Sequence, residues 1–150
     1  MKIVLDTNAV LDWLHFRDSG AAPLDKAVAT GAVQLVTCAE CLEELRWVLG
    51  RPRFGLTGTA QAALLEQYAA QASVSGAAVH GDATAALPKC RDADDQKFLV
   101  LAWRSGSNYL LTKDKALLRL SSRAARQGGF AVLTPARFAS EVLQLSSERR

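Results

Sequence analysis

The chain has few of the residues that build sulfur- or histidine-based sites. Among its 150 residues are two histidines and three cysteines. His15 and His80 stand apart, so neither is expected to bind a metal ion or to act as a general base. Cys38 and Cys41 form one C-x-x-C pair, but no second pair follows to complete a zinc site. Cys41 lies on the apolar stripe of a predicted helix, so we expect buried, reduced thiols and no redox pair.

The chain also lacks long apolar runs and low-complexity tracts. No run approaches the ~18 residues of a membrane span, and the N-terminus lacks the basic-then-apolar pattern of a secretion signal. We therefore expect a cytoplasmic protein without a membrane partner. Hydrophobic residues make up 49% of the chain, enough at this length for one folded domain. The formal charge of +3 permits an anionic partner without requiring one.

Strand and helix patterns alternate along the chain. Short apolar runs predict strands at 3–5, 33–37, 109–112 and 130–133, with a candidate edge strand within 74–79. The longest helical pattern covers 60–72, and the first helix is expected to break at 18–20. This alternation predicts an α/β domain over residues 1–145, with a central, mostly parallel sheet flanked by helices. Residues 146–150 are expected to form a polar tail.

Acidic side chains follow two of the predicted strands. Asp6 comes directly after the first strand, and Asp114 comes two residues after the strand at 109–112. Because the carboxyl ends of parallel strands line the ligand crevice, both carboxylates are expected at that edge of the sheet. Each has a structural alternative, since either carboxylate can cap the helix that follows.

Two predicted helices bring further acids toward the same edge. Asp95 shares the apolar face of its helix, which directs Lys97 away, whereas Asp92 suits a helix cap. Glu44 borders the apolar stripe of the helix after the second strand, and Glu43 falls nearly opposite that stripe. Helical phase therefore favours Asp95 and Glu44 as site residues.

Four acids at one sheet edge would repel one another without a counter-ion. Oxygen ligands with water suit Mg²⁺ or Mn²⁺, and such a site fits phosphodiester hydrolysis. Basic residues flank the predicted site and could hold a nucleic-acid backbone: Arg46, Arg51, Arg53, Lys113 and Lys115.

An ordered set of short segments spans nearly the whole chain: Val4–Asn8, Leu42–Arg46 with Leu49–Pro52, Cys90–Leu99, Leu110–Asp114 and Leu133–Pro135. In these segments the chain resembles the PIN-domain nucleases, particularly the small bacterial toxins of toxin–antitoxin pairs. The resemblance implies a parallel sheet, Mg²⁺ or Mn²⁺ as cofactor, RNA cleavage and a cognate antitoxin. It implies that the catalytic, metal-binding acids are Asp6, Glu44, Asp95 and Asp114. The supporting residues would be Asn8, Thr112 and Asp92.

Two assignments within this set stay open. The third acid is ambiguous among Asp92, Asp94 and Asp95, with helical phase and the motif both favouring Asp95. Glu43 exchanges roles with Glu44 if the helix begins differently.

Two other classes of protein place an acid after the first strand. A haloacid-dehalogenase-type phosphatase has a second aspartate two residues later, where this chain has Asn8. A receiver-like, non-catalytic domain has an early acid pair and a phosphorylated aspartate on a later strand, an order that this chain does not reproduce.

The Ala-rich helix at 60–72 predicts a homodimer, because its small residues permit close approach of another helix. Its larger side chains, Leu64, Leu65 and Tyr68, belong either to this interface or to a helix that covers the sheet. The three tryptophans are expected in the core or in an interface, and not as base-stacking platforms: Trp13, Trp47 and Trp103.

Overall fold

A five-stranded sheet with all strands parallel forms the centre of the protein. The computed structural model describes residues 1–15, 21–79 and 87–149. The sheet has the order β3-β2-β1-β4-β5. The strands are β1 (Lys2–Leu5), β2 (Gln34–Cys38), β3 (Ala72–Ser75), β4 (Tyr109–Leu111) and β5 (Ala131–Leu133). This arrangement confirms the predicted α/β class with its parallel sheet.

Helices connect these strands and cover both faces of the sheet. They are α1 (Thr7–Leu14), α2 (Ala21–Ala29), α3 (Ala39–Leu49), α4 (Gly58–Gln71), α5 (Gln96–Arg104), α6 (Lys115–Leu118), α7 (Ser121–Gly128), α8 (Pro135–Arg137) and α9 (Gln144–Glu148). A π-helical stretch, Phe138–Leu143, joins α8 to α9, and 3₁₀ turns cover Pro52–Phe54 and Ala93–Asp95. Within the described ranges, no helix has the length and apolarity needed to cross a bilayer.

The central strand β1 is buried on both faces. Ile3 pairs with Leu35 of β2 and with Tyr109 of β4. Ile3, with Leu35, joins the core beneath α1 and α3, whereas Val4 joins the core beneath α5. A strand enclosed in this way needs apolar residues in unbroken succession, which explains the run before Asp6.

The chain changes direction across the sheet beside β1. It passes from β1 to β2 and β3 on one side, and later enters β4 and β5 on the other. Such a switch point opens a crevice outside the carboxyl ends of the strands. The residues that follow β1 and β4 therefore stand next to each other at this edge.

The structure differs most from the predicted element limits at β3 and at the C-terminus. β3 begins at Ala72, directly after α4 ends at Gln71, because Ala72 already pairs with Leu35 of β2. At the C-terminus α9 continues to Glu148, so the boundary predicted after residue 145 falls within a helix. The predicted break at 18–20 and His80 lie outside the described residues.

The large side chains of α4 pack inward. Tyr68 is buried and its ring meets the edge of Trp13 at a centroid distance of 6.5 Å. Leu64 and Leu65 pack against the same core. These three residues therefore cover the sheet, as the alternative to a dimer interface predicts.

The tryptophans occupy three different environments. Trp13 is buried, and Trp103 packs against the core with part of its ring exposed. Trp47 is 68% exposed, so it does not lie in the core, one of the two environments expected for it; the other, an interface, stays a prediction. On α3 it lies nearly opposite the buried stripe of Leu45 and Leu49, on the same side as Glu43.

Candidate active site

Asp6 lies at the start of α1, at the carboxyl end of β1. One carboxylate oxygen accepts a hydrogen bond from the Ala9 amide at 2.8 Å, and the other accepts one from the Thr112 hydroxyl. Burial raises the pKa of Asp6 to about 6, against the effect of these two bonds, and repulsion from Asp114 and Asp12 adds to the rise. Asp6 is thus a helix cap that still faces other acids.

Thr112 links Asp6 and Asp114 through hydrogen bonds. Its buried hydroxyl donates to Asp6 and accepts from the Asp114 amide at 2.9 Å. The Asp114 carboxylate accepts in turn from the Ala116 amide at 2.7 Å, which caps α6. Thr112, which directly follows β4, therefore positions Asp114 beside Asp6.

Glu44 reaches the same region from α3. Its two carboxylate oxygens accept separately from the Thr7 hydroxyl and from the Lys97 ammonium, the latter at 2.8 Å. Glu43 instead pairs with Arg46 on the exposed side of the helix. The two glutamates thus face different surroundings, as helical phase predicts.

Asp95 completes the group from the turn before α5. Asp92 caps that turn by accepting from the Asp94 amide at 2.9 Å, and Asp92 is exposed. Asp95 makes no capping hydrogen bond of its own. Burial, followed by repulsion from Asp92, Asp114, Asp6 and Glu44 in that order, raises the pKa of Asp95 to about 7. Asp92 therefore serves as a cap, whereas Asp95 faces the other carboxylates.

The four acids line one cavity of about 190 Å³. The other residues of its wall are Thr7, Asn8, Val48, Arg51, Arg53 and Phe98. The cavity thus contains Asn8 and two of the five predicted basic residues. It opens between the N-terminal ends of α1 and α6 and the helices α3 and α5.

The remaining basic residues lie outside this wall. Arg46 pairs with Glu43, and Lys113 pairs with Asp12 at 2.8 Å beside a neighbouring cavity. Lys115 is exposed in the first turn of α6. The five predicted basic residues therefore divide into an inner pair in the cavity wall, Arg51 and Arg53, and an outer set outside it.

Lys97 is a site residue that helical phase missed. Helical phase places Lys97 away from the apolar face of α5. Its side chain is nevertheless only 12% exposed, and its ammonium donates to Glu44 and to the Asp94 carbonyl. The long stem of a lysine in the first turn can fold back across the start of its helix. A lysine two residues after an acidic run was the available sequence signal. Thr7, also missed, stands between Asp6 and Asn8.

The donor atoms of the cavity suit a hard divalent cation, since the acids offer only oxygen. Burial, with repulsion from neighbouring acids added to it, raises the pKa of both Asp6 and Asp95, and a nearby cation would favour their ionised forms. Over residues 1–15, 21–79 and 87–149, no three acidic, histidine or cysteine side chains converge closely enough to ligate one ion directly. Mg²⁺ usually takes one or two carboxylates and keeps several waters, so the residues fit such an ion.

The C-x-x-C pair lies away from the cavity wall. Cys38 and Cys41 are buried with their sulfur atoms 3.3 Å apart. The hydrogen bond between them lowers the pKa of Cys38 and raises that of Cys41, and burial adds to the latter rise. Both thiols are therefore part of the core that Val4 joins beneath α5.

Fold and cavity together define an α/β domain with an acidic cleft at the carboxyl edge of a parallel sheet. A family model described as PIN domain matches residues 2–116, a range that includes all four acids of the cleft. The chain therefore belongs to the PIN-domain family, which confirms the resemblance to that family. PIN domains are generally metal-dependent nucleases, so membership supports a nuclease-type hydrolase acting on nucleic acid. No curated protein matches the chain.

Replacing Asp95 by asparagine should stabilise the cation-free protein. The change removes a charge that burial and four neighbouring acids disfavour, and partial solvent exposure limits the gain to about 1 kcal/mol. Urea denaturation in EDTA at neutral pH measures this free energy of unfolding. Mn²⁺ should then stabilise the wild type more than the variant.

The matched control is Asp94→Asn, which removes an exposed charge one residue away. Its unfolding free energy should stay close to that of the wild type. A loss of stability in Asp95→Asn, with Asp94→Asn unchanged, would contradict the proposed repulsion.

Proposed function

We propose that this protein is a Mg²⁺- or Mn²⁺-dependent ribonuclease that hydrolyses RNA phosphodiester bonds. The observation that supports this most directly is the single cavity lined by Asp6, Glu44, Asp95 and Asp114 in a chain of the PIN-domain family. These acids come from four separate segments of the chain. Their association therefore has no explanation in local helix capping alone.

One or two of Asp6, Asp95 and Asp114 would ligate the cation directly and the rest would contact it through water, with Glu44 as the fourth acid. A bound Mg²⁺ or Mn²⁺ supplies a Lewis acid for the phosphate and lowers the pKa of water. Thr112 and the Ala9 amide fix the orientation of Asp6. This fixed orientation reduces the reorganisation that binding requires.

Lys97 would pair with Glu44 and fix the orientation of its carboxylate. Its ammonium donates to one oxygen of Glu44, while Thr7 donates to the other. A lysine here also offsets one of the four negative charges before a cation enters. We therefore assign Lys97 and Thr7 as positioning residues.

Arg51 and Arg53 would bind the phosphates next to the scissile bond, because both line the cavity. Lys113, Lys115 and Arg46 would extend contact to more distant phosphates. Asn8, at the cavity wall beside Asp6, supplies an uncharged polar group.

The biological setting follows from the resemblance to small bacterial toxins. We propose a cytoplasmic toxin with a cognate antitoxin, for which a small adjacent reading frame would be the simplest support. A homodimer would use the outer face of α4, which carries the exposed Ala62 and Ala63, since Tyr68 is committed to the core.

Asp6→Asn should reduce metal-dependent RNA cleavage at least about 100-fold, because one cation ligand is lost. The asparagine oxygen can still accept from the Ala9 amide, so circular dichroism should show an intact fold. Cleavage of a labelled single-stranded RNA by purified protein measures the effect. Exposed Glu66 on α4 provides the control, Glu66→Gln, which should cleave normally.

Cleavage by Asp6→Asn at the wild-type rate would show that the proposed site is wrong. Retention of labelled phosphate on Asp6 of the wild type would instead favour the phosphatase or the receiver-like alternative.

Glu44→Gln should raise the Mn²⁺ dissociation constant about 10-fold or more and slow turnover, because it weakens an oriented charge beside the cation. Glu43→Gln should change neither quantity appreciably, since Glu43 pairs with Arg46 on the exposed side of α3. Calorimetric Mn²⁺ titration of both variants provides the comparison. The reverse pattern would mean that Glu43, and not Glu44, serves the site.

A further inference from the structure

Trp47 is an exposed aromatic side chain beside the acidic cavity. Its exposed fraction of 68% is the largest among the described large hydrophobic residues that are exposed. It lies three residues after Glu44 on α3, and residues at this spacing are neighbours about 5–6 Å apart on a helix surface. Core packing therefore does not account for a tryptophan at this position.

Arg51 links Trp47 to the cavity. Its guanidinium lies over the indole ring, 5.2 Å from the ring centroid, and the same residue lines the acidic cavity. A second pair has the same form, because Arg53 lines the cavity and its guanidinium lies 4.8 Å from the centroid of Phe54. Two arginine–aromatic pairs thus adjoin the four acids.

This combination matches the chemistry of single-stranded RNA. Unstacked bases bind on aromatic rings and on arginine planes, while arginine also binds the adjacent phosphate. In a duplex the base faces are already stacked on one another. The phosphates of a duplex could therefore contact the arginines, but its bases could not stack on the indole ring of Trp47. The positive charge at Arg51 and Arg53 complements a phosphodiester chain that must approach the acids.

We propose that Trp47 is a base-stacking platform for single-stranded RNA, holding one base while Arg51 binds the neighbouring phosphate. The proposal rests on the ribonuclease function and specifies how its substrate is held. The base stacks on the solvent-exposed side of the Trp47–Arg51 pair. Trp47 therefore contributes to substrate affinity and to the preference for single strands.

The test measures fluorescence anisotropy of a labelled oligouridine RNA in the Asp6→Asn background with Mn²⁺ present. Adding Trp47→Ala should weaken binding about 5-fold to 100-fold, the range for loss of one base stack. Trp47→Phe should retain most of the affinity, because it keeps an aromatic face. Binding of the same sequence as a duplex should respond little to either change.

Leu145→Ala is the matched control, since Leu145 is an exposed apolar residue (53%) on α9. If Trp47→Ala binds oligouridine within about twofold of Leu145→Ala, the proposal is wrong. It is equally wrong if light scattering shows that Trp47→Ala disrupts a dimer without changing RNA affinity, because Trp47 would then be a protein contact.

The two proposals fail in different ways. Absence of metal-dependent RNA cleavage by the wild type overturns the ribonuclease function. Normal cleavage, together with unchanged affinity in Trp47→Ala, overturns the stacking platform alone. In the otherwise wild-type enzyme, Trp47→Ala should raise KM more than it lowers kcat, as expected for a residue that binds substrate outside the reacting centre.

Discussion

Burial of several carboxylates close together at one edge of the sheet is the constraint on which the site depends. Asp6 is only 5% exposed, and a buried carboxylate is costly unless it is hydrogen-bonded or neutralised. The parallel sheet places Asp114 beside it, and two further helices contribute Glu44 and Asp95. Repulsion from neighbouring acids adds to the rise that burial causes in the pKa of Asp6 and of Asp95, and a divalent cation would oppose that rise.

The protein offsets part of this repulsion with its own groups. Amides at the starts of α1 and α6 donate to Asp6 and Asp114, and the Thr112 hydroxyl connects the two. Lys97 neutralises Glu44. Asp95 receives no capping bond, and its pKa, at about 7, is raised further than that of Asp6, at about 6. The compensation is therefore strongest at the sheet and weakest at Asp95, which leaves that acid the most dependent on a cation.

Much of this arrangement follows from short patterns in the sequence. The apolar run before Asp6 predicts a central strand, and strand ends predict that Asp6 and Asp114 meet. Helical phase distinguishes Glu44 from Glu43, because a buried stripe fixes which side of α3 faces the core. These features depend on local periodicity and on parallel pairing, both of which are visible in one sequence.

Other features depend on the conformation of single side chains or on contacts distant in sequence. Lys97 reaches the site because its flexible stem folds back, which the direction of its Cα–Cβ bond does not reveal. The start of β3 at Ala72 is set by pairing with Leu35, 37 residues earlier in the chain. The large apolar side chain of Trp47 suggests a core position, but Trp47 lies outside the buried stripe of α3 and is therefore exposed.

The most direct test of the cation site is anomalous diffraction from crystals soaked in Mn²⁺. The repulsion among the acids predicts a manganese peak in the acidic cavity, within ligating distance of at least one of Asp6, Asp95 and Asp114, and with water completing its coordination. Excess Mg²⁺ should reduce the peak. Well-ordered crystals in millimolar Mn²⁺ at neutral pH that show no peak in the cavity would contradict a divalent cation site formed by these acids.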